Sequence, residues 1–90
     1  MYKILIITTY GCEACEIAKH NVEVAALQTG KTIEVESKDW KDCKREFILN
    51  NKIKDYPVVI YFINDNIVHK ATGTYPSPVY LRWIDMYFKF

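Results

Sequence analysis

The strongest constraint on the fold is a run of apolar side chains at the start of the chain. Residues Tyr2–Thr8 read YKILIIT, in which aliphatic and β-branched residues follow one another without a polar interruption over positions 4–7. Such a continuous run is typical of a strand that is covered on both faces, as in the sheets of α/β proteins. The sequence therefore predicts a buried first strand around which the rest of the chain is arranged.

A helical pattern follows this strand after a connection of three residues, 9–11. We expect a helix over residues 12–29, with Gly30 as its C-terminal cap. The apolar residues that recur at helical spacing and should face the core are Ile17, Ala18, Val22, Ala25 and Ala26.

The remainder of the chain predicts three further strands and two further helices. The strands are expected at residues 32–37, 58–63 and 67–71, and the helices at residues 39–51 and 77–88. Asn64, Asp65 and Asn66 have the composition of a hairpin turn. Ser77 and Pro78 are typical of a helix start, with a capping serine and proline at the first helical position.

The predicted order is therefore β-α-β-α-β-β-α. Two strand-helix-strand steps followed by a hairpin predict an α/β fold, a four-stranded mixed sheet with helices on both faces. Half of the 90 residues are hydrophobic, which is sufficient for one core. We expect a single domain over residues 1–90.

The charges are balanced, with 12 Lys and Arg against 11 Asp and Glu and a formal net charge of +1. Since no basic stripe or acidic tail stands out, we expect neither nucleic acid nor a membrane surface as the main partner. The first apolar run is shorter than that of a signal peptide. Three cysteines, an odd number, do not form an even disulfide framework. These features favour a cytoplasmic protein.

Cys12 and Cys15 carry the chemistry that the sequence predicts. Their CxxC spacing at the start of a helix places both sulfurs on one side of the first turn, close enough to form a disulfide. The free N–H groups and the helix dipole favour a thiolate there. Cys12, nearer the helix end, is expected to attack a substrate disulfide, and the more buried Cys15 to resolve the mixed disulfide.

With these residues in place, the chain resembles the thioredoxin superfamily and is closest in length and element order to its small glutaredoxin-like members. The resemblance rests on the segment of residues 10–15 (YGCEAC), on Tyr56-Pro57 before the third strand, and on Gly73 after the hairpin. It implies the thioredoxin fold and thiol–disulfide oxidoreductase activity, with Cys12 as nucleophile and Cys15 as resolving cysteine. Pro57 would be cis, and the backbone of Tyr56 would pair with an extended substrate segment.

The resemblance also implies partners and a substrate-binding surface. No cofactor is expected beyond the redox-active disulfide Cys12–Cys15. The partners would be proteins that contain disulfides, and an upstream flavin reductase or glutathione would supply electrons to a monomeric enzyme. The residues expected to contact substrate are Tyr10, Gly11, Glu13, Ala14, Tyr56, Pro57 and Gly73.

Three positions depart from the family pattern. Glu13-Ala14 is neither the Gly-Pro of typical thioredoxins nor the Pro-Tyr of typical glutaredoxins. Because a carboxylate beside Cys12 disfavours its thiolate, we expect a more reducing couple. The buried aspartate of thioredoxins would fall at Ile6 and is absent. The segments at residues 8–11 and 74–76 lack the charged residues that glutaredoxins use for glutathione, so a glutathione-dependent activity is the alternative.

Two other classes of function are alternatives to the oxidoreductase. One is a non-catalytic binding module in which CxxC forms a structural disulfide. The other is a zinc domain, in which Cys43, His20 and His69 would have to complete the site at no recognised spacing; no metal site is therefore expected. Cys43 is either a second thiol of the site or a packing residue. Trp40 and Trp83 are interpreted as packing residues, and His69 is expected on a solvated face.

Overall fold

The computed structural model describes residues 1–89, so Phe90, the last residue of the predicted domain, lies outside the described residues. The strands are β1 (Tyr2–Thr8), β2 (Glu34–Asp39), β3 (Val58–Ile63) and β4 (Asn66–Thr72). The α-helices are α1 (Glu13–Thr29), α2 (Arg45–Asn50) and α3 (Ser77–Tyr87), and one turn of 3-10 helix covers Trp40–Asp42. The predicted element order is confirmed.

The strands form one four-stranded sheet in the order β2-β1-β3-β4. β1 runs parallel to β2, with Ile4 opposite Val35, and antiparallel to β3, with Ile4 opposite Tyr61. β4 continues the sheet antiparallel to β3. The predicted mixed sheet is thus confirmed, and β1 lies inside it, as its unbroken apolar sequence requires.

Helices α1 and α3 cover one face of the sheet. The core between them contains Ile4 and Ile6 of β1, Val22 and Ala25 of α1, and Ile84 of α3. Two tyrosines are also buried there, and their hydroxyl groups find partners. Tyr61 donates to the carbonyl oxygen of Tyr80 (3.0 Å), and the Tyr80 hydroxyl accepts from the backbone N–H of Tyr75 (3.2 Å). Paired hydroxyls allow tyrosine to be buried without an unsatisfied polar group.

The segment of residues 39–51 differs from the single helix predicted there. β2 extends to Asp39, the 3-10 turn follows, and Cys43 and Lys44 are extended (ψ 153° and 135°) before α2 begins at Arg45. Asp39 is the N-cap of this turn, and its side chain accepts a hydrogen bond from the Lys41 N–H (2.9 Å). A short carboxylate that bonds a nearby N–H favours a turn over a continuing helix.

The ends of the other helices are also set by local chemistry. Cys12 is the N-cap of α1 and Gly30 its left-handed C-cap, as predicted for Gly30. Ser77 does not cap α3, because the helix already includes Ser77 and the capping position is occupied by Pro76. Ile17 was expected in the core, but its side chain is 54% exposed.

The hairpin between β3 and β4 is confirmed. Its two turn residues, Asn64 and Asp65, both have positive φ (48° and 70°), as the common two-residue hairpin turn requires. A bulge in β4 then shifts the pairing, so that Phe62 lies opposite Ile67 but Tyr61 lies opposite His69.

The prediction that His69 lies on a solvated face is wrong. Its ring stacks on Tyr87 (centroids 4.5 Å apart) and contacts Trp83 (4.6 Å) and Tyr61 (5.6 Å). Its Nε2 atom is buried, and no described residue forms a hydrogen bond with it. Burial lowers the pKa of His69, since the charged imidazolium loses its hydration.

A substitution at His69 tests this packing. The pKa of His69 is lower in the folded protein than in the unfolded chain, where it is about 6.5. Below about pH 6.5 the unfolded chain therefore binds more protons, and the free energy of unfolding should decrease as the pH falls. The contribution of His69 alone to the slope of the unfolding free energy against pH cannot exceed about 1.4 kcal/mol per pH unit. We expect His69→Phe to reduce the pH dependence of the free energy of unfolding. Urea unfolding between about pH 7 and about pH 5, the range in which histidine titrates, measures it.

The matched control is His20→Gln, which changes the exposed histidine of α1. This variant should keep the full pH dependence of the wild type. An unchanged slope in His69→Phe would contradict a lowered pKa of His69 in the folded protein.

Candidate active site

Cys12 and Cys15 form a disulfide at the N-terminus of α1, with Cα atoms 5.2 Å apart. Cys12 is the N-cap residue, and its Sγ accepts a hydrogen bond from the backbone N–H of Cys15 (3.0 Å). Gly11, with φ of +69°, turns the chain from β1 into this cap, a conformation that L side chains rarely adopt. The sulfur of Cys12 therefore occupies the position where free helix N–H groups stabilise negative charge.

The two sulfurs differ in burial. Cys15 is 2% exposed, whereas Cys12 is only partly covered and belongs to the wall of a surface depression. This agrees with the predicted asymmetry between an accessible Cys12 and a buried Cys15. Of the two, Cys12 is the one that an external sulfur can reach.

Three strand ends meet at the same edge of the sheet as this disulfide. Val58, the first residue of β3, lies opposite Ile7 of β1 and Thr72 of β4. The Tyr56–Pro57 peptide bond that precedes it is cis. The Gly73 N–H donates to the carbonyl oxygen of Pro57 (2.9 Å). The segments that contain Pro57 and Gly73 are therefore directly joined.

Two polar residues that sequence reasoning missed fasten these segments to α1. The Thr74 hydroxyl donates to the carbonyl oxygen of Ala14, between the two cysteines (2.9 Å). The Asn21 side chain donates to the carbonyl oxygen of Tyr75 (2.9 Å). Both bonds join residues more than fifty positions apart, so no local sequence pattern signals them.

The remaining predicted site residues surround the disulfide with different exposure. Tyr10 is 92% exposed, and Gly11, Glu13 and Ala14 are also exposed. Tyr56 is half-buried and its ring stacks on Trp40 (centroids 6.5 Å apart), while Pro57 is buried. Trp40, expected as a packing residue, is itself 38% exposed.

A shallow depression of about 460 Å³ lies beside Cys12. It extends along residues 8–13 and reaches Glu16 on the first turn of α1. Among the described residues that line it, Glu13 and Glu16 are the charged ones, and both are acidic. The charge beside the approach to the Cys12 sulfur is therefore acidic on this side.

Cys43 is not part of the disulfide. Its thiol is free, contacts the Asp39 carbonyl oxygen (3.7 Å), and packs with the core on the α2 side of the sheet. Burial raises the pKa of the Cys43 thiol, so its reactive thiolate form is disfavoured. These features match a packing cysteine better than a second thiol of the site.

The structure does not bring together the Cys and His side chains that a zinc site would require. Cys43 packs on the α2 side of the sheet, whereas His69 packs against α3 on the opposite side. Within residues 1–89, no group of three or more His, Cys, Asp or Glu side chains is close enough to hold a metal ion. In the same part of the chain, no helix has the length and apolar character needed to cross a membrane.

Comparison with solved structures identifies the architecture. Thioredoxin-2, described as a component of the malaria parasite protein secretion machinery, has a TM-score of 0.80 and 16% identity over 96% of this chain and 82% of its own. A mutant thioredoxin from Halobacterium salinarum has a TM-score of 0.80 and 16% identity, covering 99% of this chain and 76% of its own. The chain has the thioredoxin fold.

A third solved structure, of a malarial protein, matches over 99% of both chains with a TM-score of 0.79 and 16% identity. This thioredoxin-fold protein therefore matches at least one solved chain over nearly the full length of both. No family model and no curated protein sequence matches it. The predicted fold is thus confirmed by structure, whereas sequence similarity stays low.

The bond between Thr74 and Ala14 can be tested by removing its donor. Thr74→Val keeps the shape of the side chain but leaves the Ala14 carbonyl without this partner. We expect the free energy of unfolding of the oxidised protein to fall by about 1 kcal/mol, the usual value of one hydrogen bond. Amide exchange at Ala14 and Cys15 should also become faster.

Thr74→Ser is the matched control, because it retains the hydroxyl and should behave like the wild type. Equal exchange rates in the valine and serine variants would show that the hydroxyl does not position the CxxC turn.

Proposed function

We propose that this protein is a thiol–disulfide oxidoreductase that reduces disulfides in other proteins by dithiol exchange. The observation that carries the proposal is the Cys12–Cys15 disulfide at the start of α1, with Cys12 accessible and Cys15 buried. The thioredoxin fold around it supports the same conclusion at the level of architecture.

The reaction begins with the reduced protein. The Cys12 thiolate attacks one sulfur of the substrate disulfide, a Cys12–substrate bond forms, and the other substrate sulfur leaves as a thiolate that takes up a proton. The Cys15 thiolate then attacks the Cys12 sulfur and releases the second substrate thiol. Two electrons pass to the substrate, and the Cys12–Cys15 disulfide is formed.

The helix start favours the first step. The Cys15 N–H that donates to the Cys12 sulfur would stabilise negative charge on it in the reduced protein. Glu13 acts in the opposite direction, because its carboxylate lies next to Cys12 in the chain. We therefore propose a couple at the reducing end of the thioredoxin range, near or below about −270 mV.

Cys15 has to lose its proton without help from a buried acid. Ile6, where thioredoxins carry an aspartate, is fully buried, and among the residues that the structure describes no Asp or Glu side chain is buried. Water that reaches the disulfide from the Cys12 side is the acceptor we propose for this proton.

Substrate would bind across the segments that meet at the disulfide. Tyr56, half-buried before Pro57, would offer its backbone to an extended substrate segment, and Tyr10 would offer an exposed ring. We assign Gly11, Glu13, Ala14 and Gly73 to the same surface. Reduction by a flavoenzyme fits the proposal, as does a cytoplasmic location for the monomeric protein.

The glutathione-dependent alternative has less support. The depression beside Cys12 is lined by Glu13 and Glu16 and by no basic side chain among the described residues. Two carboxylates there would repel the carboxylates of glutathione. A protein disulfide with neutral or basic neighbours fits this surface better.

The roles of the two cysteines predict different outcomes for two variants. Cys12→Ser should abolish reduction of the insulin disulfides, because the attacking sulfur is lost. Cys15→Ser should also lose turnover but should accumulate a mixed disulfide with the substrate, visible by mass spectrometry under non-reducing conditions.

Cys43→Ser is the control for both variants and should keep the wild-type rate. If the wild-type protein failed to reduce insulin and the disulfide resisted dithiothreitol, a structural disulfide in a non-catalytic module would be the better assignment.

The effect of Glu13 predicts a shift in redox potential. Glu13→Gln removes a negative charge beside Cys12, stabilises the reduced thiolate, and should raise the midpoint potential by about 10–20 mV, since 30 mV corresponds to about 1.4 kcal/mol and exposed charges interact by less than that. The potential is measured in glutathione or dithiothreitol buffers with thiol trapping.

Glu23→Gln, an exposed carboxylate farther along α1, is the matched control and should leave the potential unchanged. A lower potential in Glu13→Gln would contradict the proposed direction of the Glu13 effect.

A further inference from the structure

The face of the sheet opposite α1 and α3 is only partly covered. Helix α2, the element on this side, has six residues, and none of its side chains is fully buried. Between α2 and the strands lies a cavity of about 280 Å³. It is separate from the depression beside Cys12, and no residue lines both.

The floor of the cavity is apolar. Leu5 of β1 is nearly buried there, and the ring of Phe62 on β3 lies beside the ring of Phe47 on α2, with centroids 6.4 Å apart. A body about the size of one aromatic ring would bury its surface against these three side chains. The volume of about 280 Å³ is just below the usual range for small-molecule sites, so the cavity fits only a small ligand.

The rim of the cavity is cationic. Lys3, Lys38 and Lys44 line it, with Asp65 as the carboxylate in the lining. Lys3 is engaged by Glu36 (2.6 Å) and Glu34 (3.7 Å). Those are the salt bridges found within residues 1–89, so the ammonium groups of Lys38 and Lys44 have no described carboxylate within bonding distance.

The residues that line the cavity are spread along the length of β1. Lys38 lies opposite Ile7, whereas Lys3 lies opposite Glu34 and Phe62, toward the other end of β1. Lys44 immediately precedes α2 and is therefore close in sequence to Phe47. The cavity thus combines an apolar floor with the ammonium groups of Lys38 and Lys44, which form no described salt bridge although Lys38 also interacts with the charge of Glu36. This combination complements an anion attached to an apolar body.

We propose that this cavity is a binding site for a small amphipathic anion, whose apolar body lies on Leu5, Phe47 and Phe62 and whose anionic group is held by Lys38 and Lys44. The site is independent of the Cys12–Cys15 chemistry and goes beyond the proposed oxidoreductase function. Its simplest rival is that the lysine stems cover the apolar floor and nothing binds.

Cys43 provides a direct reporter of occupancy. Its thiol lines the cavity and is the one free thiol of the oxidised protein, since the chain has three cysteines and the other two are bonded. A ligand in the cavity should therefore slow alkylation of Cys43 without any label being introduced.

The test uses the oxidised full chain with 4-phenylbutyrate as the probe and its neutral amide, 4-phenylbutanamide, as the matched ligand. We expect 4-phenylbutyrate to slow iodoacetamide alkylation of Cys43 and to shift the amide resonances of Leu5, Phe47 and Phe62 in a saturable manner. The amide should bind at least about threefold more weakly, because it lacks the charge.

Variants of the surface lysines separate charge from apolar contact. Lys38→Gln and Lys44→Gln should each weaken 4-phenylbutyrate binding by about threefold and leave binding of the amide unchanged. Lys41→Gln, in the same segment but outside the lining, should bind like the wild type. Protection is compared with and without probe in each variant, since Lys38 also lowers the pKa of Cys43.

Three results would overturn the proposal. One is the absence of saturable shifts with millimolar 4-phenylbutyrate, which would favour the lysine stems as the cover. Another is equal affinity for acid and amide, which would leave a purely apolar pocket. The third is protection of Cys43 that grows with protein concentration without probe, which would identify a second copy of the chain as the occupant. Insulin reduction by the lysine variants should stay at the wild-type rate, so that this test and the proposed function fail separately.

Discussion

The burial of β1 on both faces is the constraint on which the rest of the structure depends. Ile4 and Ile6 belong to the core under α1 and α3, while Leu5 and Ile7 belong to the core on the α2 side. A strand that contributes to two cores must lie inside the sheet, and its parallel pairing with β2 requires a crossover between them. Helix α1 is that crossover, so its N-terminus has to begin at the carboxyl end of β1, which is where Cys12 and Cys15 occur. The position of the redox pair thus follows from the hydrophobic pattern of seven residues.

The same constraint explains how much the sequence could predict. β1 and β3 are nearly continuous apolar runs, and Cys12 and Cys15 are three positions apart at the start of a helix. The strands, the sheet class and the disulfide could therefore be predicted from local patterns. The break of the second helix could not, because the apolar pattern of residues 39–51 does not show that Cys43 and Lys44 are extended. His69 was misplaced for a related reason. The bulge in β4 puts His69 opposite Tyr61 and Ile67 opposite Phe62, and a one-residue shift of register exchanges the two faces of a strand.

The site combines local and long-range determinants in the same way. The CxxC turn, the cis bond before Pro57 and Gly73 are three separate segments, and the bonds from Gly73 to Pro57 and from Thr74 to Ala14 hold them together. Residue types alone indicate these three segments, because cysteine, proline and glycine have unusual chemistry or backbone preferences. Thr74 and Asn21 are ordinary polar residues whose role depends on contacts across the fold. The sulfur chemistry could therefore be predicted, but the supports that fix its geometry could not.

The two faces of the sheet are covered to different extents. Helices α1 and α3 cover one face with large aromatic and aliphatic side chains, and the tyrosine hydroxyls buried there are paired. On the other face, the 3-10 turn ends at Asp42 and α2 has only six residues, so β1 and β3 are covered there by a short helix and by Ile53 and Tyr56. What a longer helix would bury is left here as a cavity over Leu5 and Phe62, with lysine residues in its lining. Because this face shares β1 with the redox site but none of its lining residues, a ligand there would bind the same scaffold without obstructing Cys12.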